Sequence, residues 1–294
     1  MVLVRNNIDN WPSRITVIED VPLFFIEYIA SMLKDSNEFP YTIYCPADSL
    51  GKISTTPKLF SLSADKLLYL ERLDNKTVVK CFDLNEICVI EYGQILLYSW
   101  LKIVDSKDAI LIEFNSVADR LFAPILKKIR CHINNIEPIE IDIKINDNFS
   151  FLTDLNYKFM VNGSYNIPSN IHIEKVIFQP SIFKQVYKIF KKRITEDLLI
   201  VTTDKELIIF SDEGTEKVKN TGRYGYTAHF YQLANLNEIS FERDYDDEIL
   251  YVSFKAASKL LYRCRFAYDQ APQLSELKRL LKQKHPHILA TSNF

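Results

Sequence analysis

The chain contains the stretch Leu199-Ile200-Val201-Thr202-Thr203-Asp204-Lys205-Glu206-Leu207-Ile208-Ile209, which decides the fold. Two aliphatic runs flank a short polar segment, a pattern typical of two antiparallel strands joined by a tight turn. Earlier in the chain, Leu62-Ser63-Ala64-Asp65-Lys66-Leu67-Leu68-Tyr69-Leu70 repeats the pattern, with Asp65-Lys66 aligned on Asp204-Lys205. Two such copies predict an internal repeat.

A second pair of segments extends this repeat. The pattern Phe82-x-Leu84-x-x-Ile87-x-x-Ile90 matches Tyr231-x-Leu233-x-x-Leu236-x-x-Ile239, and the extra residues of the second copy fall in the loop 211–225. Further on, Phe114 and Phe266 are each followed by one amphipathic segment. The order of these matches indicates a duplication of one unit.

Each copy has the pattern of six or seven antiparallel strands followed by a helix. In the first copy we predict strands at 59–62, 67–73, 76–82, 86–91, 95–104 and 109–114. In the second we predict them at 198–202, 207–210, 226–233, 237–243, 249–254 and 260–266. Polar and Gly-containing pairs such as Tyr92-Gly93 are predicted to form the turns. A strongly bent sheet has one open end, and an amphipathic helix laid over that end buries its remaining apolar face.

The residues that carry a family resemblance lie mainly in the second copy. They are the stretch 199–209, the pattern Tyr231-x-Leu233 with Leu236-x-x-Ile239, the final helix at 272–284, and a lead-in at 157–164 and 174–180. In these positions the chain resembles the bacterial pleckstrin-homology-like (PH-like) family, over 157–284 well and over 41–131 less well. The resemblance implies an α+β fold of two tandem PH-like domains, each a curved antiparallel sheet or partial barrel capped by a C-terminal helix. It implies no cofactor.

The expected organisation has five parts. They are an N-terminal helical segment at 1–40, a PH-like domain at 41–132, a linker with a strand at 133–180, a second PH-like domain at 181–285 and a tail at 286–294. The helix in the first part is predicted from Asp20 to about Lys34. A second amphipathic helix at 181–193 is predicted to lead into the second domain.

Composition excludes several classes of function. The chain has 294 residues, of which 47% are apolar and 25% charged, as in a folded globular protein. Its net charge of -2 lacks the basic field of a nucleic-acid-binding protein. Only 6 residues are Gly, which argues against a glycine-rich phosphate loop. The 5 Cys residues form no Cys-x-x-Cys pair, so we expect reduced, mostly buried thiols and a cytoplasmic location.

We expect no signal peptide and no membrane span near the start of the sequence. The first apolar stretch is too short for a signal peptide, and the apolar run 21–33 is too short to span a bilayer. The pair His285 and His287 has two readings, a metal site or a loose tail, and we favour a frayed tail.

The sequence also lacks the common catalytic motifs. It contains no Gly-x-Ser-x-Gly, His-Glu-x-x-His, Walker or dinucleotide-binding pattern, and no spacing isolates a carboxylate pair for acid–base work. We therefore expect a non-catalytic protein with no metal site and no cofactor.

Two basic segments are candidate binding sites. On the loop 211–225, Lys217, Lys219, Arg223 and Tyr224 can hold an anionic group such as a lipid headgroup phosphate. The alternative is an ordinary solvated loop, since acidic residues in the same loop offset its charge.

The second segment is the predicted helix at 181–193. Its basic face carries Lys184, Lys188, Lys191 and Lys192, and can lie on an anionic membrane or an acidic partner. The alternative is a helix that buries its apolar face in its own protein and points its lysines at water.

The favoured function is a protein- or peptide-binding interaction module. The partner is expected along a sheet edge or in a helix–sheet groove, because an open edge offers unpaired backbone groups. The alternative is peripheral binding to anionic membrane lipids. An enzyme built on a β scaffold is the third reading, and the oligomeric state stays open.

Overall fold

The computed structural model describes residues 11–33, 38–47, 49–50, 53–135, 146–167, 171–186, 190–212, 225–244, 249–256 and 259–293. It divides into a first unit, Met1–Pro138, and a second unit, Ile139–Phe294. The chain is α+β, as predicted, and the strand pairs given below are antiparallel except for one parallel pair. None of the described sheets closes into a barrel.

The first unit is built mainly from strands. Its elements are β1 (Ser13–Ile15), α1 (Ile26–Leu33), β2 (Tyr41–Cys45), β3 (Ser49–Leu50), β4 (Ile53–Ser54), β5 (Lys58–Leu62), β6 (Lys66–Leu73), β7 (Lys76–Asp83), β8 (Ile87–Ile95), β9 (Tyr98–Asp105), β10 (Ala109–Asn115) and α2 (Asp119–Asn134). One sheet has the order β1-β2-β5-β6-β7, and β8, β9 and β10 pair in sequence. The strands predicted between 59 and 114 are confirmed to within a few residues.

The helix α2 covers an apolar face of the first unit, as expected for a capping helix. Phe122 is fully buried and stacks on Phe114 of β10, with ring centroids 3.8 Å apart. Ile125 and Ile129 on the same stripe are also buried. Asn135 ends the helix in a left-handed conformation, which is common at helix C-termini.

The N-terminal segment differs from its prediction in two ways. The helix α1 begins at Ile26 instead of Asp20, because a 3-10 turn at Ile18–Asp20 and further turns precede it. In addition, β1 pairs with β2, so the segment contributes a strand to the five-stranded sheet. Phe25 and Ile29 are fully buried in a cluster that includes residues of β5 and β6.

The turn predicted at Tyr92-Gly93 is wrong. Both residues lie inside β8, and the turn comes at Leu96 and Leu97. Gly93 pairs with Trp100, whose indole lies where a Gly93 side chain would be. Gly at this position permits a close approach of a ring to the backbone and does not mark a turn.

The second unit contains the remaining elements. They are α3 (Tyr157–Asn166), β11 (Ile173–Gln179), β12 (Ile182–Val186), β13 (Phe190–Thr195), β14 (Leu198–Thr203), β15 (Glu206–Ser211), β16 (Gly225–Gln232), β17 (Glu238–Asp244), β18 (Ile249–Ala256), β19 (Lys259–Ala267), α4 (Ala271–Lys284) and β20 (Leu289–Asn293). The strands β11, β14, β15 and β16 pair in that order, and a second sheet has the order β19-β18-β17-β20. The predicted strands and the final helix are confirmed. The strand of the predicted linker, which the alternating residues Ile139, Ile141, Ile143 and Ile145 indicate, lies outside the described residues.

The leading helix predicted at 181–193 is wrong, because this segment forms the hairpin β12–β13. Its apolar residues are largely aromatic and β-branched, and these residue types favour strands. Tertiary contacts also hold the hairpin: Ile182 N donates to Thr195 Oγ1 at 3.0 Å, and the Arg193 guanidinium pairs with Asp212 at the end of β15.

The two units share one order of elements and one pairing register. Apart from β1 and the hairpins β3–β4 and β12–β13, each unit has four antiparallel strands, a short 3-10 turn, three antiparallel strands and a helix. Leu67 pairs with Phe82 in the first unit, and Leu207 pairs with Tyr231 in the second. Phe82 and Tyr231, which the sequence pattern aligns, therefore occupy equivalent positions on the strand before the 3-10 turn.

The alignment of the Asp-Lys pairs is wrong by one residue. The first hairpin is closed by Leu62 opposite Leu67, and the second by Thr202 opposite Leu207. Asp65 is therefore equivalent to Lys205. The carbonyl of Asp65 accepts a hydrogen bond from Leu84 N, and the carbonyl of Lys205 accepts one from Leu233 N. Leu84 and Leu233 each begin the 3-10 turn of their unit. Every side chain of β15 is buried. Because both faces of the strand are covered, the hydrophobic pattern does not show which residues share a face, and the sequence therefore does not fix the pairing register.

Candidate functional site

The outer edge of β17 takes up an additional strand. This strand is β20, which runs parallel to β17 with Leu289 opposite Glu238 and Asn293 opposite Glu242. Leu289 N also donates to Asn237 O at 2.8 Å just before the ladder. We call this backbone surface the β17 edge, and the segment that occupies it, 285–293, the tail segment.

A sharp turn brings the tail segment to the edge. His285 N donates to Leu281 O at 2.8 Å as α4 ends, and Ile288 N donates to His285 O at 2.9 Å. His287 Nε2 lies 2.9 Å from Leu233 O and joins the turn to the 3-10 segment before β17. The frayed tail predicted after residue 285 is therefore wrong, because unpaired backbone on β17 offers it a partner.

The tail segment has an inner and an outer face. Ile288 and Ala290 are 2% and 5% exposed, whereas Leu289 between them is 60% exposed. This alternation is that of a strand with one face against the protein. In the sequence, the only sign of this strand is one aliphatic residue, Ile288, and one small residue, Ala290, two positions apart. A pattern of two residues is too short to distinguish from chance.

His285 lies in a mixed electrostatic environment at the joint between α4 and the tail segment. Burial lowers the pKa of His285 most strongly; nearby His287, Lys284 and Lys205 lower it further, while Glu174 raises it. Its Nε2 atom is buried and has no hydrogen-bond partner among the described residues. The neutral imidazole is therefore the form that suits the docked tail segment.

The predicted anion site cannot be compared with the structure. Lys217, Lys219, Arg223 and Tyr224 all lie outside the described residues. The loop that carries them leaves β15 after Ser211 and returns at β16.

The predicted basic face takes a different form from the one expected. Lys184 lies directly opposite Lys192 on the hairpin, and Lys191 lies opposite Gln185. Lys188 lies outside the described residues. Three of the four predicted lysines are therefore placed on one two-stranded hairpin instead of one helix face.

Partly buried polar contacts fix the base of this hairpin. Asp197 accepts a hydrogen bond from Asn156 Nδ2 at 2.9 Å and another from Ser181 N. Lys158 donates to Gly225 O at 2.7 Å where β16 begins. Burial lowers the pKa of Lys158, and the carboxylates of Asp212 and Asp197 oppose that effect only in part. Polar contacts in one region therefore hold the base of the hairpin, the end of β15 and the start of β16 in place.

The described part of the chain holds no group of three or more His, Cys, Asp and Glu side chains placed to bind a metal ion. No disulfide joins any of the five cysteines; Cys45, Cys88 and Cys264 are buried, whereas Cys81 is exposed. Within the same residues, no helix has both the length and the apolar character that a membrane span requires.

Comparison with known proteins adds no family assignment. No protein-family model matches the chain, and no curated protein matches its sequence. The resemblance to the PH-like family therefore stays a prediction from the residue pattern.

Proposed function

We propose that the chain is a non-catalytic protein of two tandem PH-like domains. The shared strand order and the capping helix of each unit support this proposal. So does the matched pairing in the second sheets, where Leu101 pairs with Ile112 and Val252 pairs with Cys264. Free thiols at all five cysteines fit the reducing cytoplasmic location that the proposal includes.

The proposed activity is binding of a protein or peptide partner by strand addition at the β17 edge. The observation that carries this proposal is the parallel ladder from Glu238 to Glu242, which already accepts an extended segment. Main-chain hydrogen bonds supply affinity in strand addition, and pockets for alternate side chains supply specificity. Ile288 and Ala290 occupy such inward positions here.

A screen of extended peptides tests this activity. The full chain carrying Ile288→Asp presents an open edge, and a displayed random library supplies the peptides. We expect selected peptides to protect the amides of β17 from hydrogen exchange and to lose binding when alternate backbone amides are N-methylated. Selected peptides that bind equally well after N-methylation would contradict the proposal, because their affinity would not come from the ladder.

The second candidate function is binding to an anionic membrane surface through the hairpin β12–β13. The specific observation is that the hairpin places Lys184 opposite Lys192, which concentrates basic residues on one two-stranded surface. Phe183, next to this pair, is 54% exposed. A negatively charged lipid surface attracts basic residues and accepts the aromatic ring.

Co-sedimentation with phosphatidylserine vesicles tests this second function. Each lysine near such a surface contributes about 1 kcal/mol, so Lys184→Glu with Lys192→Glu is expected to weaken binding by at least about 30-fold at low salt. Lys259→Glu, an exposed residue of β19, is the matched control. Wild-type protein that stays in the supernatant at low salt contradicts the membrane function.

A further inference from the structure

Because it takes the β17 edge as the binding surface, this inference rests on the proposed function. We propose that the tail segment is an internal ligand of the β17 edge, which a partner displaces with an extended segment of similar pattern. That pattern is an aliphatic residue at the position of Ile288, a small residue at the position of Ala290, and a hydrogen-bonding residue directly after it. The chain would thus regulate access to its own binding surface.

The tail segment has the features of a ligand strand. It reaches β17 only after α4, and its Cα partners on β17 are consecutive residues from Glu238 to Glu242. Its inward side chains are buried while Leu289 points outward with 60% exposure. The backbone therefore provides the ladder, and two inward positions provide the side-chain selectivity.

The tail segment is also the most easily removed strand of its sheet. Among the described residues it pairs with β17 alone, through five residue pairs and in the parallel orientation, which is slightly less stable per residue. In contrast, β19, the other edge strand of this sheet, pairs with β18 through eight residue pairs in the antiparallel orientation. Local opening of an edge strand of this kind leaves the other three strands paired.

The docked tail segment does not provide a hydrogen-bond partner for one buried hydroxyl group on β17. Ser240 lies opposite Thr291, yet Ser240 Oγ is buried and has no hydrogen-bond partner among the described residues. Thr291 is exposed and does not reach it. A partner with an Asn or Gln side chain at the position of Thr291 can donate to or accept from this hydroxyl, and so competes better than the tail segment itself.

The tail segment has one advantage over a free peptide, because it is covalently connected to the protein that it binds. The turn between Lys284 and Leu289 is short, so the effective concentration of the tail segment at the edge is on the order of millimolar. A free peptide at micromolar concentration must therefore bind more tightly to replace it. A substitution that weakens only the docking of the tail segment should therefore make the β17 edge accessible to such a peptide.

A labelled synthetic peptide with the sequence of residues 286–293 is the probe, and fluorescence anisotropy measures its binding to full-length protein. Three proteins are compared: the wild type, Ile288→Asp to release the tail segment, and Leu289→Asp as the matched control at an exposed position. We expect Ile288→Asp to bind the peptide at least about tenfold more tightly than the other two. Replacing the residue that corresponds to Thr291 in the peptide with Asn is expected to tighten binding further. Hydrogen exchange of the β17 amides reports whether the tail segment is released, and a circular-dichroism spectrum verifies that each variant keeps its fold.

The outcomes separate this inference from the proposed function. Tight binding to Ile288→Asp alone supports both. Equal binding to all three proteins overturns the internal ligand and leaves strand addition standing. Binding to none of them, while the β17 amides of Ile288→Asp exchange fast in a folded protein, overturns strand addition itself. A wild type that forms dimers by exchanging tail segments also overturns the inference, because the ligand would then belong to a second copy.

Discussion

The close approach of Trp100 to Gly93 leads to a sharp prediction for the first unit. A Cβ atom added at Gly93 would lie 1.9 Å from Trp100 Cζ2 and 2.2 Å from Cε2, well inside van der Waals contact. The indole cannot easily move away, because it is fully buried and Nε1 donates to Glu91 Oε1 at 2.7 Å. It is also stacked on Tyr98 with ring centroids 5.5 Å apart.

The expected cost of Gly93→Ala follows from these contacts. Overpacking of a filled interior costs about 1–3 kcal/mol, and displacing the indole from a carboxylate acceptor costs about 1–3 kcal/mol more. We therefore expect a loss of about 3 kcal/mol in the free energy of unfolding. For a unit of this size, that loss lowers Tm by roughly 10 °C.

Thermal unfolding followed by circular dichroism measures the effect. Gly163→Ala is the control, because the added Cβ meets only the Phe149 ring at 3.3 Å and gains helix propensity within α3; its free energy of unfolding should change by less than about 1 kcal/mol. Gly93→Ala should cost much less in a Trp100→Leu background, since the clash is then gone. A Tm of Gly93→Ala within about 2 °C of wild type would refute the packing argument.

Three further predictions concern packing, thiol reactivity and pH. Phe122→Ala should lose about 3–5 kcal/mol of stability in chemical denaturation, whereas Val117→Ala, at a half-exposed position nearby, should change it by less than about 0.5 kcal/mol; equal effects would contradict the capping role of α2. Burial raises the pKa of Cys45 to about 12, so iodoacetamide at about pH 8 should modify exposed Cys81 first; early modification of Cys45, found by mass spectrometry, would contradict the burial. Because the docked state lowers the pKa of His285 from its ordinary 6.5, docking is favoured above that pH and weakens as the pH falls below it. Protection factors of the β17 amides should therefore fall between about pH 7.5 and pH 5.5 in the wild type and stay level in His285→Gln.

Apolar runs bounded by polar turn segments were enough to locate most strands of both units. The predicted strands at 67–73 and 249–254 are observed at Lys66–Leu73 and Ile249–Ala256, and the helix at 272–284 at Ala271–Lys284. Both strands bury consecutive residues, such as Leu67 to Leu70, so a continuous apolar run marks them instead of a strict alternation. Such a run is a local property of the sequence, and recognising it needs no knowledge of the neighbouring strands.

Local patterns failed where a distant residue decides the outcome. The segment 181–193 has apolar residues at helical spacing, but pairing between its two halves and the contact of Arg193 with Asp212 make it a hairpin. Gly93 resembles a turn residue until Trp100 is placed above it. The tail segment carries almost no pattern of its own, and only the open edge of β17 orders it.

The amino-acid sequence by itself determined the α+β class, the repeated order of strands and final helix, and the absence of the common catalytic motifs. Those are consequences of composition and of local periodicity, which each segment carries with it. Only the tertiary structure decided which strands pair, in what register, and that β20 covers the edge of β17. The physical reason is that a strand leaves half of its backbone hydrogen bonds to be satisfied by another segment, and nothing within the strand specifies which segment that is.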